Sequence, residues 1–338
     1  MKTLIIEKPG TVRIRETDVP RPGEGEALLK LKYGGICGSD LNSYRGTSAY
    51  VSYPRIPGHE FSAEIVEIGK NDSALKPGMV VTGNPYFNCG TCYSCQRGLV
   101  NCCTANQTMG VQREGAFSEY ITLPIDRLYA GKGLDAKTLA LIEPFCISYH
   151  GVGRGNVQKG DRVLIVGAGT IGVLAALAAK LRGARVWMTD ISGQKLVLAE
   201  RFGIDGTFVN TDPGAFEAAL QRATGGDGFD VAIEAVGLPG TFQNCVDAAA
   251  YGGRVVLIGV GKKNLDFNFT LLQKKELLVA GSRNALKKDF LDLIDRVKTD
   301  AIPLADIVTR TYPFADGVQA FAEIDKNAAS ELKAVLEF

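Results

Sequence analysis

The sequence lacks the features that direct a protein to nucleic acids or membranes. Its 38 basic and 37 acidic side chains give a net charge of +1. No run of Lys or Arg stands out, which disfavours a nucleic-acid or anionic-membrane partner. The apolar segment Val173–Leu181 is too short to span a bilayer. The opening MKTLIIEKPG has only a three-residue apolar run before Glu7 and Lys8, so no signal peptide is predicted. We therefore expect a cytoplasmic protein.

Histidine is also scarce, with only two in the chain, whereas there are eight cysteines. Five of these cysteines lie in the 15 positions from 89 to 103. In a long chain without a secretion signal, such crowding favours metal binding over disulfides.

The length of 338 residues exceeds one ordinary core and predicts two domains. In the first part, short apolar stretches alternate with turns that contain Pro and Gly, a pattern typical of a small β-barrel or sandwich. The strands predicted there are Thr3–Ile6, Ala27–Lys32, Ala63–Ile68, Met79–Thr82 and Ser118–Leu123.

From about residue 150, six apolar strands alternate with helical segments, which predicts a parallel, doubly wound sheet. These strands are Val163–Gly167, Arg185–Asp190, Thr207–Asn210, Asp230–Val236, Arg254–Val260 and Glu276–Ala280. The tail has a helix near Lys288–Lys298 and short apolar runs, which are too few for a third domain. We predict domains at 1–149 and 150–282, with 283–338 completing the first.

A candidate dinucleotide site follows the first of these strands. The run from Val163 reads VLIVGAGTIG, so a strand leads into G-x-G-x-x-G and then a helix. Gly167 is expected to make the tight turn, Gly169 to admit a pyrophosphate and Gly172 to let helix and strand pack closely. Asp190 would bind the adenosine ribose hydroxyls and repel a 2′-phosphate, which favours NAD over NADP. The alternative is a glycine-rich turn in another α/β fold.

A candidate structural metal site spans about residues 86–104. Cys89, Cys92 and Cys95 form two consecutive C-x-x-C steps, and Cys102 and Cys103 follow. Four thiolates can close a tetrahedral shell around Zn²⁺ and leave no position for a substrate. Residue chemistry leaves open which of the adjacent Cys102 and Cys103 is the fourth ligand. Disulfides or unliganded thiols are the alternatives.

A second set of candidate ligands is scattered along the chain. Cys37 begins the segment that ends at Asp40, His59 precedes Glu60, and Glu143 lies far downstream. A Cys, a His and a carboxylate can bind zinc and still leave a position for water or substrate. Spacing alone supports this site weakly, since a lone His is more often structural than a ligand.

Taken in chain order, these motifs resemble the zinc-containing medium-chain dehydrogenase/reductase family over the whole length. The matching segments are Gly34–Asp40, Gly58–Glu60, Cys89–Cys103, Ile142–Pro144 and Gly167–Gly172. The resemblance implies a GroES-like barrel catalytic domain plus a Rossmann NAD-binding domain, with the active site in the cleft between them.

Within that family the chain is most similar to the sorbitol dehydrogenase branch, and there to sugar-acid dehydrogenases of the L-galactonate/L-gulonate 5-dehydrogenase kind. The segments Tyr53–Glu60, Asn101–Cys103 and Gly281–Ala285 carry this closer likeness.

The resemblance implies one catalytic and one structural zinc per chain. Cys37 and His59 are implied catalytic ligands, Glu60 is the implied third, and Glu143 lies beside them or exchanges into the coordination sphere. Which of the two glutamates is the third ligand stays open. The implied structural ligands are Cys89, Cys92, Cys95 and Cys103.

The resemblance also implies positions that contact the cofactor or the substrate. Arg283 matches a position near substrate and nicotinamide, and the alternative for it is a surface salt bridge. Besides the three glycines, the implied cofactor-contacting residues are Thr170, Ile171, Asp190, Lys195, Ile258, Val260 and Ser282.

Proton transfer is expected to differ from that of many relatives. Ser39 matches the residue that takes the substrate proton. Asn42 stands where a histidine would pass the proton on, and an amide is no base at neutral pH. We therefore expect a route through Ser39, Glu143 and water.

Together these inferences predict a zinc-dependent, NAD-linked enzyme that oxidises a secondary hydroxyl of a sugar acid or polyol to a ketone, assembled as a homodimer or homotetramer. A sorbitol- or galactitol-type polyol dehydrogenase, an L-threonine 3-dehydrogenase and a simple alcohol dehydrogenase are alternatives that share the same machinery. A non-catalytic cofactor-binding protein would not need Cys37, His59, Glu60 and Glu143. A zinc-free quinone reductase is set aside because it would lack the cysteine lobe, Cys37 and His59.

Overall fold

In the computed structural model, residues 1–261, 263–327 and 331–338 are described. The chain divides into two compact units, one formed by 1–143 with 286–338 and the other by 144–285. These divisions lie a few residues from the predicted domain borders. Among the described residues, no helix is both long and apolar enough to cross a membrane.

Seventeen strands are assigned along the described chain. They are β1 (Lys2–Lys8), β2 (Thr11–Glu16), β3 (Glu26–Ile36), β4 (Glu60–Ile68), β5 (Val80–Gly83), β6 (Tyr86–Phe87), β7 (Gln107–Thr108), β8 (Tyr120–Pro124), β9 (Leu128–Ala130), β10 (Arg162–Val166), β11 (Arg185–Asp190), β12 (Gly206–Val209), β13 (Phe229–Glu234), β14 (Ala249–Leu257), β15 (Leu278–Gly281), β16 (Val308–Pro313) and β17 (Lys333–Glu337).

Eleven α-helices accompany them in the described residues. They are α1 (Gly38–Arg45), α2 (Tyr93–Gln96), α3 (Ala136–Ala140), α4 (Ile142–Arg154), α5 (Thr170–Leu181), α6 (Gly193–Glu200), α7 (Pro213–Thr224), α8 (Pro239–Ala248), α9 (Thr270–Lys275), α10 (Lys287–Thr299) and α11 (Gly317–Asn327).

The first unit is built around the long strand β3. A seven-stranded sheet runs in the order β16-β17-β3-β4-β5-β9, and β8 also pairs with β3. All of these pairings are antiparallel except that of β16 with β17. Leu29, Phe61 and Val81 are fully buried in one apolar cluster of this unit. β3 is thus the strand against which the other parts of the unit are aligned.

The tail belongs to the first unit. β17 pairs with β3, with Leu336 opposite Gly34. The ring of Phe321 on α11 meets that of Phe117 edge-on, with ring centroids 6.4 Å apart. The sequence pattern predicted only short apolar runs in this region, whereas the structure has the eleven-residue helix α11 there.

The second unit has the predicted parallel sheet. Its six strands lie in the order β12-β11-β10-β13-β14-β15, and every pairing is parallel. β14 starts and ends earlier than predicted, so Ile258 and Val260 lie just beyond it. The carboxyl ends of these strands share one edge of the sheet, where ligands bind in open α/β folds.

Candidate metal centres and cofactor site

The first candidate metal site lies in the lobe between β6 and β7, which pair with Tyr86 opposite Thr108. The sulfur atoms of its four grouped cysteines all lie within 4.8 Å of one another. The grouped residues are Cys89, Cys92, Cys95 and Cys103. Cys102 is exposed and lies outside this group. The structure therefore brings together the four residues that the family resemblance implied.

Backbone N–H groups point at the sulfur atoms of the lobe. The N–H of Cys89 donates to Sγ of Cys103 at 3.2 Å, and that of Cys92 donates to Sγ of Cys89 at 3.3 Å. Backbone donors at Thr104 and Cys95 lower the pKa of the Cys92 thiol to about 5. Burial instead raises the pKa of the Cys95 thiol to about 11. The thiolate is the form that binds metal, and four grouped cysteine sulfurs are a donor set that fits a closed tetrahedral Zn²⁺ site.

The second candidate site joins β3 to β4. Cys37 follows β3 as the N-cap of α1, and His59 immediately precedes Glu60 at the start of β4. The antiparallel register places Gly35 opposite Glu60. The thiol, an imidazole nitrogen and a carboxylate oxygen of Cys37, His59 and Glu60 lie within 4.8 Å of one another. His59 and Glu60 are buried.

Two observations show that this group fits a metal. A β-carbon at position 35 would lie 2.0 Å from Oε2 of Glu60, so glycine there leaves room for the carboxylate. Nδ1 of His59 is buried without a hydrogen-bond partner in the described residues, and Nε2 lies 3.5 Å from Oγ of Ser39. Thiolate, imidazole and carboxylate are the donors zinc accepts, and three of them leave a fourth position open.

The carboxylate of Asp40 lies next to the imidazole of His59. Its carboxylate accepts N–H bonds from Cys37 at 2.9 Å and Gly58 at 3.0 Å, and its Oδ1 lies 3.8 Å from Nδ1 of His59. Burial raises the pKa of Asp40. Burial alone would lower the pKa of His59, but Asp40 and Cys37 outweigh it and raise that pKa well above its ordinary value. The site therefore attracts positive charge.

Lys333 lies beneath the Glu60 carboxylate. It is buried at the start of β17, where its ammonium forms an ion pair with Glu60. Nζ also donates to the carbonyl of Ile36 at 3.1 Å. Burial would lower the pKa of Lys333, but Glu60 and Cys37 raise it above the ordinary value. The lysine is thus a fixed cation beside the candidate ligands.

Glu143 reaches the same region from the first turn of α4. It is buried, and its Oε1 accepts a hydrogen bond from the hydroxyl of Tyr86. Burial raises the pKa of Glu143 to about 7. Glu143 is not part of the group with metal-ligand spacing found in the described residues. Its neighbour Tyr86 is likewise buried.

The glycine motif in the second unit has the geometry of a dinucleotide turn. Gly167 has a φ of +110°, which favours glycine. A β-carbon at Gly172 would lie 1.8 Å from the carbonyl oxygen of Gly167, so the helix approaches the strand as only glycine permits. Apart from its chain neighbours, no atom of the described residues lies within 4 Å of the β-carbon position at Gly169. The N–H groups at the start of α5 suit a phosphate.

Asp190 ends β11 beside this turn. Its Oδ2 accepts the N–H of Ala168 at 2.7 Å, and its Oδ1 accepts that of Ser192 at 2.8 Å. Ser192 caps α6, where its hydroxyl accepts the N–H of Lys195 at 3.4 Å. Asp190 is thus held next to the glycine turn, as a residue that binds a ribose would need to be.

The other predicted cofactor positions lie at the same edge of this sheet. Thr170 and Ile171 form the first turn of α5. Ile258 is buried and Val260 exposed, and both follow β14. The remaining two residues follow β15, where Ser282 has a buried hydroxyl oxygen without a hydrogen-bond partner in the described residues and Arg283 is exposed.

Sequence reasoning assigned no role to three residues that the structure places around the second metal site. Asp40 ends the segment that begins at Cys37, in which roles were predicted only for Cys37 and Ser39. Lys333 carried a weak signal, because it is a lysine within the apolar stretch from Leu332 to Leu336. Tyr86 carried none, since its contact with Glu143 joins residues 57 positions apart.

Two family models match the chain. "Alcohol dehydrogenase GroES-like domain" matches residues 23–132, and "Zinc-binding dehydrogenase" matches residues 170–299. The L-galactonate-5-dehydrogenase of Escherichia coli K12 is 37% identical over 342 residues, covering 100% of this chain and 99% of that protein. The chain belongs to the zinc-dependent medium-chain alcohol dehydrogenase family. As a member, it is a dehydrogenase.

Two further comparisons agree with the assignment. The sorbitol dehydrogenase of Halalkalibacterium halodurans is 30% identical, covering 97% of each chain. The crystal structure described as that of a short chain alcohol dehydrogenase (rspB) from E. coli CFT073, complexed with the cofactor NADH, superposes with a TM-score of 0.92 at 30% identity. It covers 100% of this chain and 99% of its own. The predicted fold, a GroES-like domain with a Rossmann domain, is confirmed.

Proposed function

We propose that this dehydrogenase oxidises a secondary hydroxyl of a sugar acid or polyol to a ketone, using zinc and NAD. The observation that carries the proposal is the convergence of Cys37 with the buried His59 and Glu60 within 4.8 Å in a chain of this family. Zinc held by these residues would supply Lewis-acid activation of the hydroxyl. NAD held at the Gly167–Gly172 turn would accept the hydride.

The chain's own residues would orient the substrate and remove its proton. The Ser39 hydroxyl, near His59, would accept the proton of the substrate hydroxyl. Oδ1 of Asn42 accepts a hydrogen bond from Thr47 at 3.2 Å, and an amide cannot take the proton further. Glu143, whose carboxylate is held by Tyr86, and water would complete the route.

The four-cysteine lobe would hold the second, structural zinc. We retain the cytoplasmic location expected from the sequence as part of the proposal.

NAD is proposed over NADP because of Asp190. Asp190→Ser should weaken NAD binding by about tenfold and relax discrimination against NADP. Asp205→Ser is the matched control, since Oδ2 of Asp205 also accepts a backbone N–H at 2.7 Å, from Val186, without lying at the glycine turn. Cofactor titration by fluorescence measures both variants. Equal NAD and NADP affinities in the unaltered protein would refute the assignment.

Among substrates, sugar acids of the L-galactonate/L-gulonate type are favoured over neutral polyols. Besides the likeness to the E. coli enzyme, the support is Arg283 at the exposed end of β15. A guanidinium holds a carboxylate through two parallel hydrogen bonds. Arg283→Lys should therefore raise KM for the acid by about tenfold or more and affect a neutral polyol much less.

A homodimer or homotetramer is also proposed. β15 is the edge strand of the parallel sheet, and its Leu278 and Val279 are 69% and 39% exposed. Exposed apolar edge strands are ready to pair with a second chain. Light scattering on the protein and on Leu278→Lys tests this part, and a monomer in the unaltered protein would contradict it.

The deciding experiment is an NAD-reduction screen on zinc-loaded protein. The panel holds L-galactonate, L-gulonate, sorbitol, galactitol, L-threonine and ethanol, each with NAD and with NADP. The proposal expects the highest kcat/KM for an aldonic acid with NAD. A preference for L-threonine or ethanol would show that sugar acids and polyols are not the substrate class. Two zinc ions per chain with no turnover on any alcohol would favour a non-catalytic binding protein.

A further inference from the structure

The contact between Tyr86 and Glu143 lies near the candidate metal ligands, since His59 and Glu60 act electrostatically on Glu143. Both side chains are buried, at 7% and 2% exposure. The Tyr86 hydroxyl donates to Oε1 of Glu143. The phenol of Tyr86, on the strand that leads into the four-cysteine lobe, thus contacts a carboxylate that does not belong to the Cys37–His59–Glu60 group.

Contacts of the Tyr86 backbone and of the adjacent Phe87 fix the position of the tyrosine beside Glu143. Its N–H donates to Oδ1 of Asn84 at 3.0 Å, and its carbonyl accepts a hydrogen bond from Nη1 of Arg127. The guanidinium of Arg127 also lies 4.2 Å from the ring centroid of Phe87. Because side chains alternate along a strand, fixing Phe87 on one face fixes Tyr86 on the other.

The two buried glutamates have different partners. Glu60 is paired with the ammonium of Lys333 and belongs to the group with metal-ligand spacing. Glu143 is paired with a neutral phenol and stands outside that group. Without its donor, a buried carboxylate would seek the nearest cation, because an unpaired buried charge is costly. Lys333 acts electrostatically on Glu143, and a doubly charged metal bound by Cys37, His59 and Glu60 would be a stronger cation in the same region.

We propose that Tyr86 is a positioning residue that keeps Glu143 off the catalytic metal, so that Glu60 is the third protein ligand and the fourth position stays open for the substrate hydroxyl. The inference rests on the proposed metal site. Under this proposal Glu60 binds the metal, whereas Glu143 takes part in removing the proton of the substrate hydroxyl.

The test is Tyr86→Phe, which removes only the hydroxyl. Glu143 should then compete with the substrate hydroxyl for the open position, so KM for the alcohol should rise by about tenfold or more while kcat changes less. Tyr53→Phe is the matched control. Its hydroxyl donates to the carbonyl of Ser43 at 2.5 Å in the same unit, and its loss should leave KM and kcat unchanged.

Cobalt substitution gives a readout independent of turnover. The positions and intensities of the d–d bands of Co²⁺ depend on its ligands, so a carboxylate that replaces water in the fourth position should shift these bands in Tyr86→Phe relative to the unaltered protein. Subtracting the two spectra removes the contribution of the four-cysteine lobe. The double variant Tyr86→Phe/Glu143→Gln should regain the original spectrum, because an amide is a weaker ligand. An unchanged spectrum in Tyr86→Phe would overturn the proposal.

A second variant keeps the proposal testable if Tyr86→Phe fails to fold. Glu143→Gln alone should leave the cobalt spectrum unchanged, since Glu143 is not a ligand. A changed spectrum would make Glu143 a ligand and overturn the inference. Failure of the proposed function looks different, because His59→Ala would then leave the metal content of the protein unaltered.

Discussion

The four-cysteine lobe takes all its ligands from the 15 positions between Cys89 and Cys103, whereas the Cys37–His59–Glu60 group joins two strands and is supported by Glu143 and Lys333 from far along the chain. The lobe stabilises its thiolates with backbone N–H groups. The other group sits among buried charges. We therefore expect the lobe to depend on its metal for folding, and the second site to be held by contacts between its buried charged side chains.

The largest effect should come from breaking the lobe. Cys92→Ser removes one of four thiolates, and structural zinc contributes about 10 kcal/mol or more to the folding of small zinc domains. The variant should retain half of the zinc and lose about 5 °C or more in Tm, or become insoluble. Metal analysis and calorimetry measure this. Cys102→Ser is the control, because the exposed Cys102 lies outside the group, and it should match the unaltered protein.

Removing a ligand from the Cys37–His59–Glu60 group should abolish turnover while the protein stays folded. His59→Ala should reduce kcat/KM by about 1,000-fold or more, since Lewis-acid activation is worth several kcal/mol. Tm should change little and one zinc should remain. His150→Ala, which alters the only other histidine, should keep its activity. Wild-type turnover in His59→Ala would mean that this group does not hold the catalytic metal.

The expectation that buried charged side chains hold the second site can be tested at Lys333. Lys333→Met leaves the buried Glu60 without its cation, which should cost about 3–5 kcal/mol of unfolding free energy in the metal-free protein. Bound zinc should reduce that loss, because zinc then compensates the carboxylate. The double variant Lys333→Met/Glu60→Gln should recover most of the stability. Denaturation with and without zinc measures each value, and equal losses in both states would contradict the idea.

The smallest expected effect is the pH dependence of the metal-free site. The pKa of Glu143 is about 7 in the fold against an ordinary 4.5, so the folded state holds this proton more tightly than the unfolded chain. The stabilisation of the fold by this proton is complete when the pH lies below the pKa of Glu143 in the unfolded chain. It is lost as the pH rises through the pKa of Glu143 in the folded protein.

Between about pH 5 and pH 8, the metal-free protein should therefore lose about 2 kcal/mol relative to Glu143→Gln. Urea unfolding of both proteins at several pH values gives the difference. A constant difference across this range would show that burial does not hold the proton on Glu143.

The comparison also explains what the sequence could predict. The lobe and the Gly167–Gly172 turn are encoded by closely spaced residues whose chemistry is specific, so both could be recognised directly. Tyr86 and Lys333 act through contacts with residues distant in sequence, Glu143 and Glu60. Such contacts depend on strand register, which a single strand does not encode. Helix α11 was missed because its apolar residues were read as short separate runs.

The residues at positions 35 and 60 should change together among related sequences. A β-carbon at Gly35 would collide with the Glu60 carboxylate, so an alanine at 35 is compatible only with a smaller or differently placed side chain at 60. Chimeras between relatives, or redesigns of β3, should exchange these two positions as one unit. A glycine in the interior of a long strand would otherwise be an obvious target for stabilisation, but here it leaves the space that the carboxylate of Glu60, a proposed metal ligand, occupies.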